Sequence, residues 1–252
     1  MQYFPRAILI ALLCTSCWAL ASDLAKEKRW AEQIVDALID GEAVWLNDGK
    51  SDFLGLYTEA GDDKGQAAII LHGTGVHPDW QQVVKPLRVE LPMHGWRTLS
   101  IQMPVLPNEA DYKEYVPLYP EVNPRINAAI AYLRERGVQR IVLVGHSQGA
   151  TMGAFYLRSH PDGFAGFVSI GMSGNFGSEV QDGVRSLGMM QLPVLDLYGS
   201  DDLEGVLESV EQRAQAASRL AFTQRRVEGA NHFFDGKEAD LVGIVSGWLE
   251  QL

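Results

Sequence analysis

The chain has 252 residues and a formal net charge of −11 at pH 7, from 21 Lys and Arg against 32 Asp and Glu. This length suits one well-buried α/β domain rather than two. Because the balance is acidic and no basic run is clustered, nucleic acid and anionic membrane surfaces are disfavoured as partners.

The first 21 residues are typical of a secretory signal peptide. Arg6 precedes an apolar run over residues 7–20, and an Ala-Leu-Ala motif ends at Ala21. The run is shorter than the roughly 20 residues that a membrane span needs, so we expect no stable membrane span. We therefore expect cleavage after Ala21, a mature domain over residues 22–252, and a periplasmic or secreted protein.

Both cysteines, Cys14 and Cys17, lie inside this leader segment. After cleavage the mature chain would have no disulfide and no thiolate to act as a nucleophile or metal ligand. Residues 14–17 also loosely resemble a lipoprotein cleavage motif. Lipid anchoring through Cys17 is therefore the alternative to free secretion.

Strand and helix patterns alternate along the rest of the chain. Predicted strands occupy residues 43–46, 52–59, 66–71, 97–102, 141–144, 164–170, 193–198 and 221–227. Predicted helices occupy residues 22–40, 80–90, 124–136, 150–157, 206–220 and 238–252. This alternation predicts a mainly parallel sheet covered by helices on both faces, with functional groups at the carboxyl ends of the strands.

Two stretches lack a clear periodic pattern. Residues 104–123 carry four prolines and three tyrosines, and we predict a loop at the mouth of a pocket, with a plain surface excursion as the alternative. The next helix is expected to begin with Pro124 in its first position. Residues 171–193 are too few to form a separate lid domain, so the site should be fairly open.

The main functional pattern is Gly145-His146-Ser147-Gln148-Gly149. A short β-branched run precedes it and a helical pattern follows, which indicates a sharp strand-to-helix turn. Such a turn holds the serine in a sparsely populated backbone conformation and exposes its hydroxyl at a helix N-terminus. Taken alone, the motif could also be a glycine-rich turn without chemistry.

A second turn, residues 72–75, follows the predicted strand 66–71. Its small residues would let backbone N–H groups turn inward to stabilise an oxyanion. We expect the N–H of Thr74, with Gly73 as its alternative, to pair with the N–H of Gln148. An ordinary strand-to-loop turn is the competing interpretation.

Three further residues complete the pattern. Ser147, Asp202 and His232 each follow a predicted strand, and their chain order is serine, acid, histidine. A histidine can take the proton of a serine hydroxyl, and an acid behind the imidazole stabilises the imidazolium.

The chain resembles the α/β-hydrolase superfamily over essentially all of the mature sequence. The resemblance is carried by LHGTG at 71–75, GHSQG at 145–149, YGSDD at 198–202 and GANHFFDG at 229–236. Within the superfamily the chain is similar to small lidless, dienelactone-hydrolase-like serine hydrolases, including a bacterial periplasmic branch. The resemblance implies a single-domain α/β-hydrolase fold without a large lid, and it favours Asp202 over Asp201 as the acid.

These features predict a carboxylesterase-like serine hydrolase that acts on a small-molecule or acyl ester through an acyl-enzyme intermediate. Amide cleavage or acyl transfer on the same triad, and an inactive hydrolase fold that serves as a binding module of the cell envelope, are the alternatives. His146 is expected to orient the serine turn and His72 to support the oxyanion loop. The remaining histidines show no metal-ligand spacing, and we expect neither a metal nor a cofactor. The sequence does not indicate an oligomeric state.

Overall fold

The computed structural model describes residues 22–160, 162–174, 177–219 and 221–252. The predicted signal peptide, including Cys14 and Cys17, lies outside the described residues. In the part that is described, no helix is both long enough and apolar enough to cross a bilayer.

One eight-stranded sheet organises the described residues, in the order β1-β2-β4-β3-β5-β6-β7-β8. β1 and β2 form an antiparallel hairpin around the Asn47-Asp48-Gly49 turn, β2 is also antiparallel to β4, and the remaining pairs are parallel. The strands are Glu42–Asn47 (β1), Asp52–Thr58 (β2), Gln66–Leu71 (β3), Arg97–Ile101 (β4), Arg140–His146 (β5), Phe164–Ile170 (β6), Val194–Asp201 (β7) and Phe222–Asn231 (β8).

Helices cover both faces of this sheet. They are Leu24–Ala37 (α1), Val84–Glu90 (α2), Tyr119–Glu135 (α3), Gln148–Leu157 (α4), Gly183–Met189 (α5), Glu204–Leu207 (α6), Val210–Ala216 (α7) and Glu238–Leu249 (α8), with 3-10 helices at Leu91–His94 and Tyr112–Leu118. α3, α4 and α5 share one apolar core with alternate sheet residues such as Leu143, whereas α2 and α8 share the opposite core with residues such as Val144. Burial on both faces explains why every residue of β3 is buried.

The strand order places the carboxyl ends of the central strands together. The chain leaves β3 toward β4 on one side, and β5 lies on the other side of β3. Such a reversal opens a crevice above the strand ends, where ligands bind in open α/β sheets. The turns after β3, β5, β7 and β8 therefore face the same region.

The predicted fold class is confirmed, with corrections to element boundaries. β7 and β8 are longer than predicted, because their pairing continues to Asp201 and Asn231. Residues 229–231, beyond the end of the predicted strand 221–227, consequently belong to β8. The predicted helix over 80–90 begins only at Val84, after Val83 adopts a φ of 57°.

The largest correction concerns residues 104–123, whose second half is helical. A 3-10 helix runs directly into α3, so Pro124 lies inside a helix and not at its first position. Burial of apolar side chains at three- and four-residue spacing outweighs the backbone hydrogen bond that this proline cannot donate. The buried series comprises Tyr115, Leu118, Tyr119, Val122, Ile126, Ala129 and Leu133.

Candidate active site

Ser147 occupies a sharp turn between β5 and α4. Its φ of 54° and ψ of −120° lie outside the regions that non-glycine residues ordinarily adopt. Its backbone N–H donates to the carbonyl oxygen of Ile170 at 2.8 Å, which ties the turn to the end of β6. The residue is thus held at the carboxyl end of the sheet by the surrounding strands.

The two glycines of the motif are required by close backbone contacts. A Cβ at Gly145 would lie 2.5 Å from the Cα of Ala150, and one at Gly149 would lie 2.3 Å from the carbonyl oxygen of Leu71. Real Cβ atoms do not approach backbone this closely, so any side chain at either position would displace the turn.

Asp202 and His232 form a buried hydrogen-bonded pair. Nδ1 of His232 lies 2.5 Å from Oδ1 of Asp202. The carboxylate also accepts backbone N–H groups from Leu203 at 2.8 Å and Gly199 at 3.1 Å. Burial acts to raise the pKa of Asp202, but the hydrogen bond and charge of His232 and the two backbone donors bring it below its ordinary value. An ionised Asp202 requires the proton on Nδ1, which leaves Nε2 of His232 able to accept one.

Three aspartates lie on β7 or directly after it, and the structure distinguishes Asp202 from the other two. Asp201 is exposed and accepts a hydrogen bond from Ser200 Oγ at 3.1 Å. Asp196 is fully buried in an ion pair with Arg213 at 2.9 Å. Of the three, Asp202 is the residue that contacts His232.

Ser147 and His232 lie on adjoining backbone segments. Gly171 follows the residue that accepts the Ser147 N–H, and a Cβ at Gly171 would lie 3.0 Å from the His232 ring. His146, next to the serine, has its Nε2 2.9 Å from the carbonyl oxygen of His232. Because burial lowers the pKa of His146 to about 4, its imidazole is neutral, and Nε2–H donates to this carbonyl. His146 thereby joins the serine turn to the histidine loop.

The turn after β3 lies against the serine. A Cβ at Gly73 would be 3.1 Å from the Cβ of Ser147. His72 is buried, which lowers its pKa to about 3, and its Nε2 accepts the backbone N–H of Met103 at 2.9 Å. Its Nδ1 therefore carries the proton and donates to the carbonyl oxygen of Gly73 at 2.9 Å.

This hydrogen bond sets the orientation of the next peptide group. The described residues contain no cis peptide bond, so the N–H of Thr74 points opposite to the Gly73 carbonyl, away from His72. Gln148 is the first residue of α4, where the helix supplies no acceptor for its N–H. Thr74 and Gln148 can thus both present free N–H groups beside Ser147.

Sequence reasoning missed the side chains that pack over α4. Tyr112 OH lies 2.8 Å from Thr151 Oγ1, and Tyr119 OH accepts the side-chain amide of Gln148 at 3.1 Å. Gln181 donates to the backbone carbonyl of Tyr112 at 2.6 Å. Residues 104–123, which were expected to border the pocket, and residues 171–193 therefore meet over the serine helix. The tyrosines were visible in the sequence, but their buried partners lie far away along the chain.

Other candidate sites lie away from this cluster. Among residues 22–160, 162–174, 177–219 and 221–252, no group of three or more His, Cys, Asp or Glu side chains could hold a metal ion. Cavities of about 440 Å³ beside α5 and about 740 Å³ between α2 and α8 are not lined by Ser147, Asp202 or His232. Residue chemistry, and not cavity size, marks this site.

The fold is that of the α/β hydrolases, including dienelactone-hydrolase-like members. Est1E from Butyrivibrio proteoclasticus aligns with a TM-score of 0.67 at 14% identity, covering 83% of this chain and 98% of Est1E. An alpha-beta serine hydrolase homologue from Coxiella burnetii gives 0.66 at 23% identity, covering 84% and 99%. Dienelactone hydrolase from Anabaena variabilis gives 0.67 at 17% identity, covering 83% and 96%.

Sequence comparison then places the chain in a particular family. Residues 7–124 and 117–251 match the family described as "Protein of unknown function (DUF3530)", and the chain belongs to it. No protein with a curated description matches the sequence.

Proposed function

We propose that this protein is an exported serine hydrolase that cleaves a carboxylic ester through an acyl-enzyme intermediate. The observation that carries the proposal is the strained Ser147 turn, which lies against the turn after β3 and is tied to the end of β6, beside the ring of the Asp202-bound His232. Strained backbone is characteristic of catalytic nucleophiles of this kind.

In the first half of the reaction, Ser147 Oγ attacks the ester carbonyl carbon as Nε2 of His232 takes the hydroxyl proton. The carbonyl oxygen becomes an oxyanion that accepts the N–H groups of Thr74 and Gln148. Asp202 stabilises the imidazolium through its bond to Nδ1. Collapse of the tetrahedral intermediate expels the alcohol, which receives the proton from Nε2.

In the second half, water replaces the alcohol. The water oxygen attacks the acyl carbon as Nε2 of His232 takes a proton from the water. The same two N–H groups stabilise the second oxyanion. The serine oxygen then leaves with the proton from Nε2, which frees the carboxylic acid and restores the site. Each proton transfer uses the nitrogen that Asp202 leaves unprotonated.

Two exposed apolar side chains flank the pair, which suits an ester substrate with a hydrocarbon group. Leu203, next to Asp202, is 54% exposed, and Phe233, next to His232, is 40% exposed. The Phe233 ring also contacts the His232 ring, at a centroid separation of 5.2 Å. Proteins with this fold include one described as a dienelactone hydrolase and one as a serine hydrolase homologue, which is consistent with hydrolysis here.

The proposal is tested by fluorophosphonate labelling of the purified protein, with the modified peptide mapped by mass spectrometry. We expect labelling at Ser147 that is absent from Ser147→Ala and retained by Ser159→Ala, a control on an exposed serine after α4. Folded protein that takes no label would rule out an activated serine and favour a binding module.

The substrate class is tested separately, on a protein preparation that reacts with the fluorophosphonate. Matched p-nitrophenyl esters and p-nitroanilides of the same acyl groups should show hydrolysis of the esters and little of the anilides. Faster cleavage of anilides would make the protein an amidase, and product formation only with an added alcohol or amine would make it an acyltransferase.

Export is part of the proposal and rests on the leader sequence. Expression of the full chain in a Gram-negative host, followed by fractionation, should place the protein in the periplasm or medium without fatty-acid labelling. Incorporation of a fatty-acid analogue would instead support a lipoprotein anchored through Cys17.

A further inference from the structure

Ser22, the first residue after the predicted cleavage position, is bound at two points by one carboxylate. The residue is 8% exposed. Its backbone nitrogen donates to Glu121 Oε1 at 3.2 Å, and its hydroxyl donates to Glu121 Oε2 at 2.7 Å. The next residue, Asp23, donates its N–H to the carbonyl oxygen of Val105 at 2.7 Å. The start of the predicted mature chain is therefore docked on the 105–123 stretch.

The same carboxylate belongs to a buried cluster with an excess of negative charge. Arg125 is fully buried and lies 3.0 Å from Glu27, 3.5 Å from Asp48 and 3.8 Å from Glu121. Burial raises the pKa of Glu27 to about 7, with Glu121 adding to the effect and Arg125 opposing it. Lys26 does not join the cluster, because its ammonium donates to a backbone carbonyl. One guanidinium thus faces three carboxylates, and a second cation would reduce the excess of negative charge.

We propose that cleavage after Ala21 creates an α-ammonium group at Ser22 that pairs with Glu121 and locks the N-terminal segment onto the stretch covering the serine helix. The inference rests on the export cleavage proposed above. Water hydrolyses the Ala21–Ser22 peptide bond, so that Ala21 leaves as a carboxylate and the Ser22 nitrogen becomes an amine. An α-amino group has a pKa near 8, so at neutral pH most of it is protonated.

The Ser22 nitrogen and the Glu121 carboxylate are already in contact in the uncleaved chain, where this nitrogen is still an amide. The nitrogen that would carry the charge lies within hydrogen-bonding distance of Glu121, and charge-assisted bonds are shorter and stronger than neutral ones. Glu121 itself lies in the first turn of α3, where the helix dipole favours a negative charge. Two residues earlier, Tyr119 contacts Gln148 at the start of the serine helix. The processed N-terminus thereby stabilises a segment that borders the candidate active site.

The first experiment determines the N-terminus of protein exported from the full-length chain, by intact mass and terminal peptide mapping. We expect Ser22 as the first residue. Any other first residue, including an acylated Cys17, would overturn the inference, because the Ser22 nitrogen would then remain an amide.

The second experiment compares residues 22–252 beginning at Ser22 with the same chain carrying one extra glycine before Ser22. Residues 22–252 contain all eight strands and the helices that cover them. The extra residue keeps the Ser22 nitrogen as an amide and moves the ammonium away from Glu121. We expect the form beginning at Ser22 to have the higher Tm, by roughly 3–6 °C.

Two glutamate variants identify the partner. The Tm difference between the two forms should vanish in Glu121→Gln and persist in Glu135→Gln, an exposed control at the end of α3. Equal Tm values for the two unmutated forms, or a difference that persists in Glu121→Gln, would overturn the pair. Neither readout depends on reactivity of Ser147, so the result stands apart from the labelling test.

Discussion

Replacing Asp202 with Asn tests the histidine partner most directly, because the new side chain has nearly the same shape. The carboxylate accepts three N–H groups: Oδ1 takes those of His232 and Leu203, and Oδ2 takes that of Gly199. An amide has one acceptor oxygen, so either orientation leaves a mismatch.

The two orientations have different costs. If the amide oxygen keeps His232 and Leu203, its NH₂ faces the Gly199 N–H, and two buried donors oppose each other at a cost of about 1–3 kcal/mol. If the amide flips, its NH₂ faces His232 Nδ1, which moves the ring proton to Nε2, the nitrogen that should accept the serine proton. In both cases the negative charge that stabilises the imidazolium is lost. We expect a fall in kcat of roughly 10³ to 10⁴, or about 4–5.5 kcal/mol in the barrier.

The assay is p-nitrophenyl ester hydrolysis together with the rate of fluorophosphonate labelling, and circular dichroism confirms that each variant is folded. Asp201→Asn is the matched control, since Asp201 is exposed and adjacent in sequence, and it should stay within about threefold of the unmutated rate. Normal labelling of folded Asp202→Asn, or a large loss in Asp201→Asn instead, would refute the assignment of Asp202.

Two further predictions concern the serine turn. Gly149→Ala places a Cβ 2.3 Å from the Leu71 carbonyl oxygen, so we expect a loss of roughly 1–3 kcal/mol or more in urea unfolding and about hundredfold slower labelling. Gly243→Ala, on the exposed face of α8 with nothing within 4 Å, should be neutral or stabilising, and equal behaviour of the two would contradict the packing argument. The pKa of His146 is held near 4 in the folded protein against 6.5 ordinarily, so below pH 6.5 the unfolded state binds the extra proton and stability falls with falling pH. His146→Asn should therefore reduce the slope of the unfolding free energy against pH by up to about 1.4 kcal/mol per pH unit. Urea unfolding between pH 6 and 4 measures this slope. An unchanged slope, or an equal change in the exposed control His94→Asn, would count against a buried neutral imidazole.

Local patterns in the sequence were sufficient for most of the fold. β3 and β6 coincide with the predicted strands, because continuous apolar runs of that length are typical of strands buried on both faces. The alternation of strands and helices predicted the parallel sheet. Errors fell at element ends, where pairing between distant strands decides the boundary: β7 and β8 extend each other to Asp201 and Asn231.

The stretch over residues 104–123 shows why composition misled. Its prolines indicated a loop, but the spacing of Tyr115, Leu118, Tyr119 and Val122 was already helical. Burial of this series in the sheet core made the stretch helical, and the free energy of that burial depends on elements that are remote in the sequence. The periodicity across the prolines was therefore sufficient to indicate the helix.

The sequence by itself determined the residue types available for chemistry and their order along the chain: a serine between glycines, then an acid, then a histidine. It also determined the small-residue turn after β3 and the apolar N-terminal run from which we predict a leader. Only the tertiary structure decided which acid contacts His232. Asp201 and Asp202 are neighbours in the sequence, but at the end of β7 the side chain of Asp201 is exposed and that of Asp202 is buried against His232. The structure alone also brought Ser22 to Glu121, 99 residues away, since contacts of that range depend on the packing of the whole sheet and leave no local pattern.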